Sequence, residues 1–199
     1  MSRKARQYII SSNTFYHVVS RGNNQQKIFR RVRDYKKFLK ILTKTKKQHP
    51  FYFYSYNLLP NHYHLEIETR DIPISKIMHQ INSSYVRYFR RQYGGSGHLF
   101  QERFFSGLIN KESYLWEVSC YIDNNAVQAG LVKKPEDYRW SSYSIYYEKY
   151  YDGDLIDRDR FLQFGGEDTE KLRISYLRLV REKLKSKKEP PFLINKKMV

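Results

Sequence analysis

The sequence predicts an α+β domain in which an antiparallel sheet carries two helices on one face. Three observations lead there. Segments 8–20, 51–58, 62–68 and 98–109 read as short strands with aromatic and β-branched residues among them. Segments 34–48 and 73 onward instead repeat apolar residues every three and four positions, as amphipathic helices do. The resulting order, strand, helix, strand, strand, helix, strand, is the split βαβ or ferredoxin-like arrangement.

Taken in order, residues Tyr8 to Ser20 place Phe15, His17 and Val19 on one face of a first strand and Tyr16 and Val18 on the other. The strand stops at Arg21-Gly22-Asn23-Asn24, where glycine and asparagine permit turn conformations. Arg21 there is either a phosphate contact beside backbone donors or an ordinary solvated arginine. Tyr35, Phe38, Leu39, Ile41 and Leu42 form the stripe of a first helix, with Asp34 as its expected N-cap and Pro50 beyond its end. Phe51 to Leu58 and the strand from His62 then make a hairpin around Leu59-Pro60-Asn61. Pro73 opens a second helix through Ile74, Ile77, Met78, Ile81, Tyr85 and Phe89. The loop Gly94-Gly95-Ser96-Gly97 lacks the Lys-Ser/Thr sequel of a phosphate-cradling loop, and His98 to Ile109 is the expected fourth strand.

Composition narrows the function. Against 20 Asp and Glu stand 37 Lys and Arg, a net charge of +17 that attracts polyanions. With 19 Tyr and 12 Phe, that charge suits single-stranded nucleic acid, whose phosphates need cations and whose exposed bases need stacking partners. The single cysteine, Cys120, excludes an intrachain disulfide framework and fits a reducing cytoplasm. Neither a signal peptide nor an apolar run of membrane-spanning length is present in the 199 residues, so no membrane partner is expected.

Two segments carry chemistry. In His62-Tyr63-His64-Leu65-Glu66-Ile67-Glu68, alternation gives His62, His64, Glu66 and Glu68 one face, and two imidazoles at i and i+2 stand close enough to share a divalent cation. Residues Lys111 to Ala129 read as a helix capped by Asn110 and closed by Gly130, with Leu115, Val118 and Ile122 on its apolar stripe. On a neighbouring face Tyr121 and Asn125 stand one helical turn apart, a phenol above an amide. A phenol with a pKa of about 10 is a poor nucleophile near neutral pH, so a cation has to polarise the group it attacks.

These segments bring out a family resemblance. Leu59-Pro60-Asn61-His62-Tyr63-His64, Phe100-Gln101-Glu102-Arg103-Phe104, Tyr121-Ile122-Asp123-Asn124-Asn125-Ala126-Val127 and Tyr138-Arg139-Trp140-Ser141-Ser142 occur in that order. Together they resemble the motifs of the single-tyrosine HUH transposases of the IS200-like class, and especially the REP-associated tyrosine transposases. Ala126 stands where relatives have Pro, Phe100 where they have Trp, and residues beyond 150 have no counterpart.

The resemblance implies an HUH endonuclease fold and a metal-dependent enzyme that cleaves and rejoins single-stranded DNA beside a hairpin, an imperfect palindrome. Tyr121 is then the nucleophile, forming a 5′-phosphotyrosine. His62, His64 and Asn125 are the ligands of Mg or Mn, and Arg21 and Arg103 are candidate phosphate contacts. It also implies a bacterial cytoplasmic, nucleoid-associated protein, monomer or homodimer. Residues 1–145 are expected to form the transposase domain, and 146–199 a tyrosine-rich linker with a basic C-terminal helical extension. That extension is either a DNA-binding arm or a helix packed on the domain. Tyr114 competes with Tyr121, Glu66 and Glu68 compete as metal or proton ligands, and zinc competes with the harder cations. A domesticated, catalytically silent binder of hairpin DNA or RNA is the alternative function.

Overall fold

The computed structural model describes residues 13–109, 112–148, 155–166 and 168–186. The expected strand start at Tyr8, the Asn110 cap, residues 149–154 of the tyrosine-rich linker and the tail from Lys187 lie outside them.

Strand β1 (Thr14–Arg21) leads to α1 (Val32–Gln48), and the hairpin β2 (Phe51–Leu59) and β3 (His62–Thr69) leads to α2 (Ile74–Tyr93). Strand β4 (Phe105–Ile109) and helix α3 (Leu115–Gln128) follow, and α4 (Tyr143–Tyr146), α5 (Arg158–Gln163) and α6 (Thr169–Ser186) complete the chain. The sheet order is β2-β3-β1-β4 with every neighbouring pair antiparallel, the expected α+β arrangement.

Helices α1 and α2 cover one face of this sheet. Phe38 of α1 packs its ring 4.7 Å from that of Tyr63 in β3, and the Tyr63 hydroxyl donates to Asn82 of α2. Helix α1 begins two residues before the expected cap. Asp34 lies inside the first turn and its carboxylate accepts from the Arg30 and Arg31 amides, both at 2.8 Å, so it quiets the helix start from within. Gly94, at φ +69°, ends α2 in a conformation that glycine adopts without strain.

The other face is covered as well. Helix α3 crosses it, held where the Asn57 amide donates to the Ile122 carbonyl at 2.8 Å and where Ser119 donates to Glu66. The backbone of Trp140 to Ser142 lies along the outer edge of β2: the Leu58 amide donates to Trp140 and the Ser142 amide to Tyr56, both at 2.9 Å. An edge that would otherwise present unpaired amides is thereby covered. From that edge Ser142 Oγ donates to Asp123 of α3 at 2.8 Å, and Tyr176 of α6 donates to the same carboxyl at 2.6 Å. Thus α6 packs on α3, with Tyr176 and Val180 buried and Ile174 exposed.

The fourth strand is shorter than expected. Gln101, Glu102 and Arg103 are exposed, and of residues 98–104 only Phe100 forms a β-bridge, an isolated one to Gly22. Gly22 itself has an ordinary φ of −63°. Its lack of a side chain matters for another reason: a Cβ there would sit 2.2 Å from the backbone oxygen of Gln26. The left-handed positions in this turn are Asn24 and Gln25, at φ 48° and 57°. Gly22→Ala is therefore expected to cost about 1–3 kcal/mol, read as a lowered denaturation midpoint. An unchanged midpoint would mean that the turn yields freely.

Candidate active site

Antiparallel pairing brings the ends of β1 and β3 together, with Arg21 opposite His62 and Val19 opposite His64. His17 pairs with Glu66, which makes it the diagonal neighbour of His64 on the same sheet face. The His17 and His64 rings stack at 5.2 Å and 12°, with His17 Nε2 hydrogen-bonded to His64 Nδ1 at 2.9 Å. His62 lies 5.1 Å from His64, ring to ring, and its Nδ1 bonds Asn61 Oδ1 at 2.7 Å. Since a carboxamide oxygen only accepts, that bond puts the His62 proton on Nδ1 and a lone pair on Nε2.

Over this group stands the half-buried Tyr121 of α3, its ring 5.8 Å from His64 and 5.9 Å from His17, edge-on to both. Asn125, one turn on, donates its amide nitrogen to the Tyr121 carbonyl at 2.8 Å. Tyr114 ends a 3₁₀ turn ahead of α3, so the helical spacing that would have aligned it with Tyr121 does not hold.

Burial sets the charge state. It lowers the pKa of His17 to about 4, and burial with the Arg21 charge lowers that of His62 to about 4 as well. His64 falls well below the usual value through burial and its neighbouring imidazoles. All these rings are neutral near pH 7, as metal-ligating imidazoles must be.

The donor set fits a cation in part. His64 Nε2 is buried with no hydrogen-bond partner, and the His62 ring, whose Nε2 is left with a lone pair, lies 5.1 Å from the His64 ring centre to centre. Among the described residues no group of three or more His, Cys, Asp or Glu is arranged to hold a metal. Glu68, 1 % exposed, is engaged by Tyr54 and by Arg160 of α5, whose Nη2 lies 2.9 Å from it. Glu66 is bound by Ser119 and held neutral, its pKa pushed well above the usual range by burial. An ion here would therefore draw on two imidazoles and on neutral oxygens such as that of Asn125.

Of the expected phosphate contacts, Arg21 belongs to this cluster. Arg103 is exposed at the rim of a groove of about 790 Å³ between α2 and the loop before β4, together with Lys76, Arg90, Phe100 and Phe104. The groove joins the histidine end of the sheet, because the Gln101 amide donates to the Arg21 carbonyl at 2.9 Å. His17 was not singled out as a site residue from the sequence. Its signal was present, an imidazole on one face of β1, but only the β1–β3 register places it beside His64.

Residues 10–125 match the model of the family described as "Transposase IS200 like". The chain belongs to the IS200-like transposase family. This transposase also resembles a solved REP-associated tyrosine transposase bound to a REP hairpin, with 23% identity, TM-score 0.60, and 79% of this chain and 94% of that one covered. That likeness confirms the fold. A protein of Deinococcus radiodurans R1 described as a candidate transposase has 15% identity and TM-score 0.42 over 62% of this chain and 97% of its own, and adds nothing to the assignment. No curated protein matches. No helix among the described residues is long and apolar enough to cross a membrane.

Proposed function

We propose that this transposase cleaves and rejoins single-stranded DNA beside a hairpin through a covalent 5′-phosphotyrosine, with Tyr121 as nucleophile. The observation that carries the reading is the approach of the Tyr121 ring to within 5.8 Å of His64, whose Nε2 is buried and unpartnered. These residues come from elements far apart in the chain, and a buried nitrogen without a partner is costly unless something binds it.

His62 and His64, with the Asn125 oxygen, would hold Mg or Mn. When bound, such an ion polarises a phosphodiester oxygen and offsets the charge that develops there. Tyr121 Oη attacks phosphorus, the Oη–P bond forms as the P–O3′ bond breaks, and the phenolic proton ends on the departing 3′ oxygen. The 5′ side stays on Tyr121, so the bond energy is kept for rejoining. Arg21, beside the histidines, and Arg103, in the adjoining groove, fix the strand through its phosphates. With the Tyr121 ring 5.8 Å from His64 of the same chain, the chemistry takes place within one chain, in a monomer or in each copy of a homodimer. Residues 1–145 form the catalytic unit and α5 and α6 brace it. The hairpin partner of the REP-associated neighbour supports a hairpin substrate here.

A labelled library of single-stranded hairpins, incubated with the protein and Mn²⁺, tests this. The expected result is a labelled protein band that survives denaturation. Salt-sensitive binding without that band would replace the enzyme by a silent hairpin-binding protein, and cleavage without it would mean hydrolysis by water.

A further inference from the structure

We propose that His17 positions His64 for the cation, by holding the His64 proton on Nδ1 and so leaving Nε2 as a lone pair. The inference rests on the metal reading above and extends it to a residue outside the ligand set.

The 2.9 Å contact between His17 Nε2 and His64 Nδ1 joins two ring nitrogens, so one of them carries the proton and the other offers a lone pair. If His17 donates, the His64 proton sits on Nε2, where it is a buried N–H with no acceptor. A buried N–H left without an acceptor carries the full desolvation cost of a donor. If His64 donates, Nε2 carries a lone pair, and a lone pair is what a cation takes. The second arrangement satisfies both the hydrogen bond and the orphan. It also removes His17 from the ligand set, because its Nε2 accepts from His64.

The surroundings fix this partner. His17 is 3 % exposed, stacks on His64 at 12°, and meets Tyr121 edge-on at 5.9 Å. One side chain on β1 therefore backs both the proposed ligand and the proposed nucleophile. The role matches the outer partner that orients most metal-binding histidines.

The test uses full-length ¹⁵N-labelled protein. Long-range ¹H–¹⁵N spectra of the metal-free wild type are expected to show His64 protonated on Nδ1. Mn²⁺ affinity, read by electron paramagnetic resonance without DNA, is expected to fall about 10- to 100-fold in His17→Phe, which keeps a ring but no acceptor. His17→Gln, whose amide oxygen accepts, should recover part of it. A role in packing alone would favour Phe over Gln.

Two results would overturn the proposal: His64 protonated on Nε2 in the wild type, or a folded His17→Phe variant with wild-type Mn²⁺ affinity. Should His17→Phe not fold, the wild-type spectrum still decides. If the wild type takes up no Mn²⁺ at all, the metal reading fails, and the spectrum alone then decides whether His17 sets the His64 tautomer.

Discussion

Tyr121→Phe is expected to abolish both the covalent adduct and strand cleavage while leaving hairpin affinity and unfolding temperature near the wild-type values. Removing the nucleophile of an enzyme costs on the order of 10⁶-fold in rate, enough to take cleavage below detection. The ring would keep its place, because the contacts to His64 and His17 are made by the aromatic edge and face. The substitution thus separates chemistry from binding. Single-turnover cleavage of a labelled hairpin and a titration of the same hairpin read the two properties independently. Residual cleavage in Tyr121→Phe at the wild-type rate would move the nucleophile elsewhere.

The second large effect concerns what keeps Tyr121 in position. Asp123, two residues on in α3, is fully buried and accepts from Ser142 at 2.8 Å and from Tyr176 at 2.6 Å. Asp123→Ala strands those hydroxyls in a cavity and is expected to cost about 3 kcal/mol. Cleavage should slow with it, since α3 would lose its tie to the β2 edge. Asp123→Asn keeps the shape and tests the charge. Burial raises the Asp123 pKa from 3.8 to about 7, the hydrogen bonds opposing it.

The sign follows from linkage. A folded-state pKa above the unfolded one means that this group's contribution is fully present below 3.8 and is lost as pH rises through about 7. The span of about three units corresponds to roughly 4 kcal/mol. His17 and His62 act oppositely: their pKa values of about 4 mean stability present above 6.5 and lost as pH falls. The wild-type profile therefore mixes opposing slopes, and the difference between wild type and Asp123→Asn isolates one of them. Chemical denaturation between pH 4 and 8 should find Asp123→Asn gaining on the wild type as pH rises. A constant difference would mean that Asp123 titrates alike in both states.

The strands, the first two helices and their succession were legible because periodicity two and periodicity 3.6 are written directly in the apolar residues. The limits of β4 were not, since Gln101, Glu102 and Arg103 lie between Leu99-Phe100 and Phe104-Phe105, and only pairing partners show that the strand begins after them. Helix α3 announced its buried stripe but not which side chains it would be buried against, such as the Asn57 amide that holds it to β2. The polar tie through Asp123 stayed hidden for a related reason. Ser142, Asp123 and Tyr176 are ordinary residues until tertiary packing joins them.

The site divides in the same way. His62 and His64 share a face through alternation, and Tyr121 and Asn125 share one through helical spacing, both local rules. That Tyr121 would lie against the imidazoles came from family resemblance. Its place 5.8 Å from His64 is a property of the fold. His17 needed the register of two strands, which no local pattern encodes.

Anomalous diffraction from a crystal soaked in Mn²⁺ bears most directly on the whole account. It predicts one strong peak within coordination distance of His62 Nε2, His64 Nε2 and the Asn125 amide oxygen, on the side of the histidines that Tyr121 covers. A saturated crystal with that position empty, or with manganese bound away from both imidazoles, would contradict it.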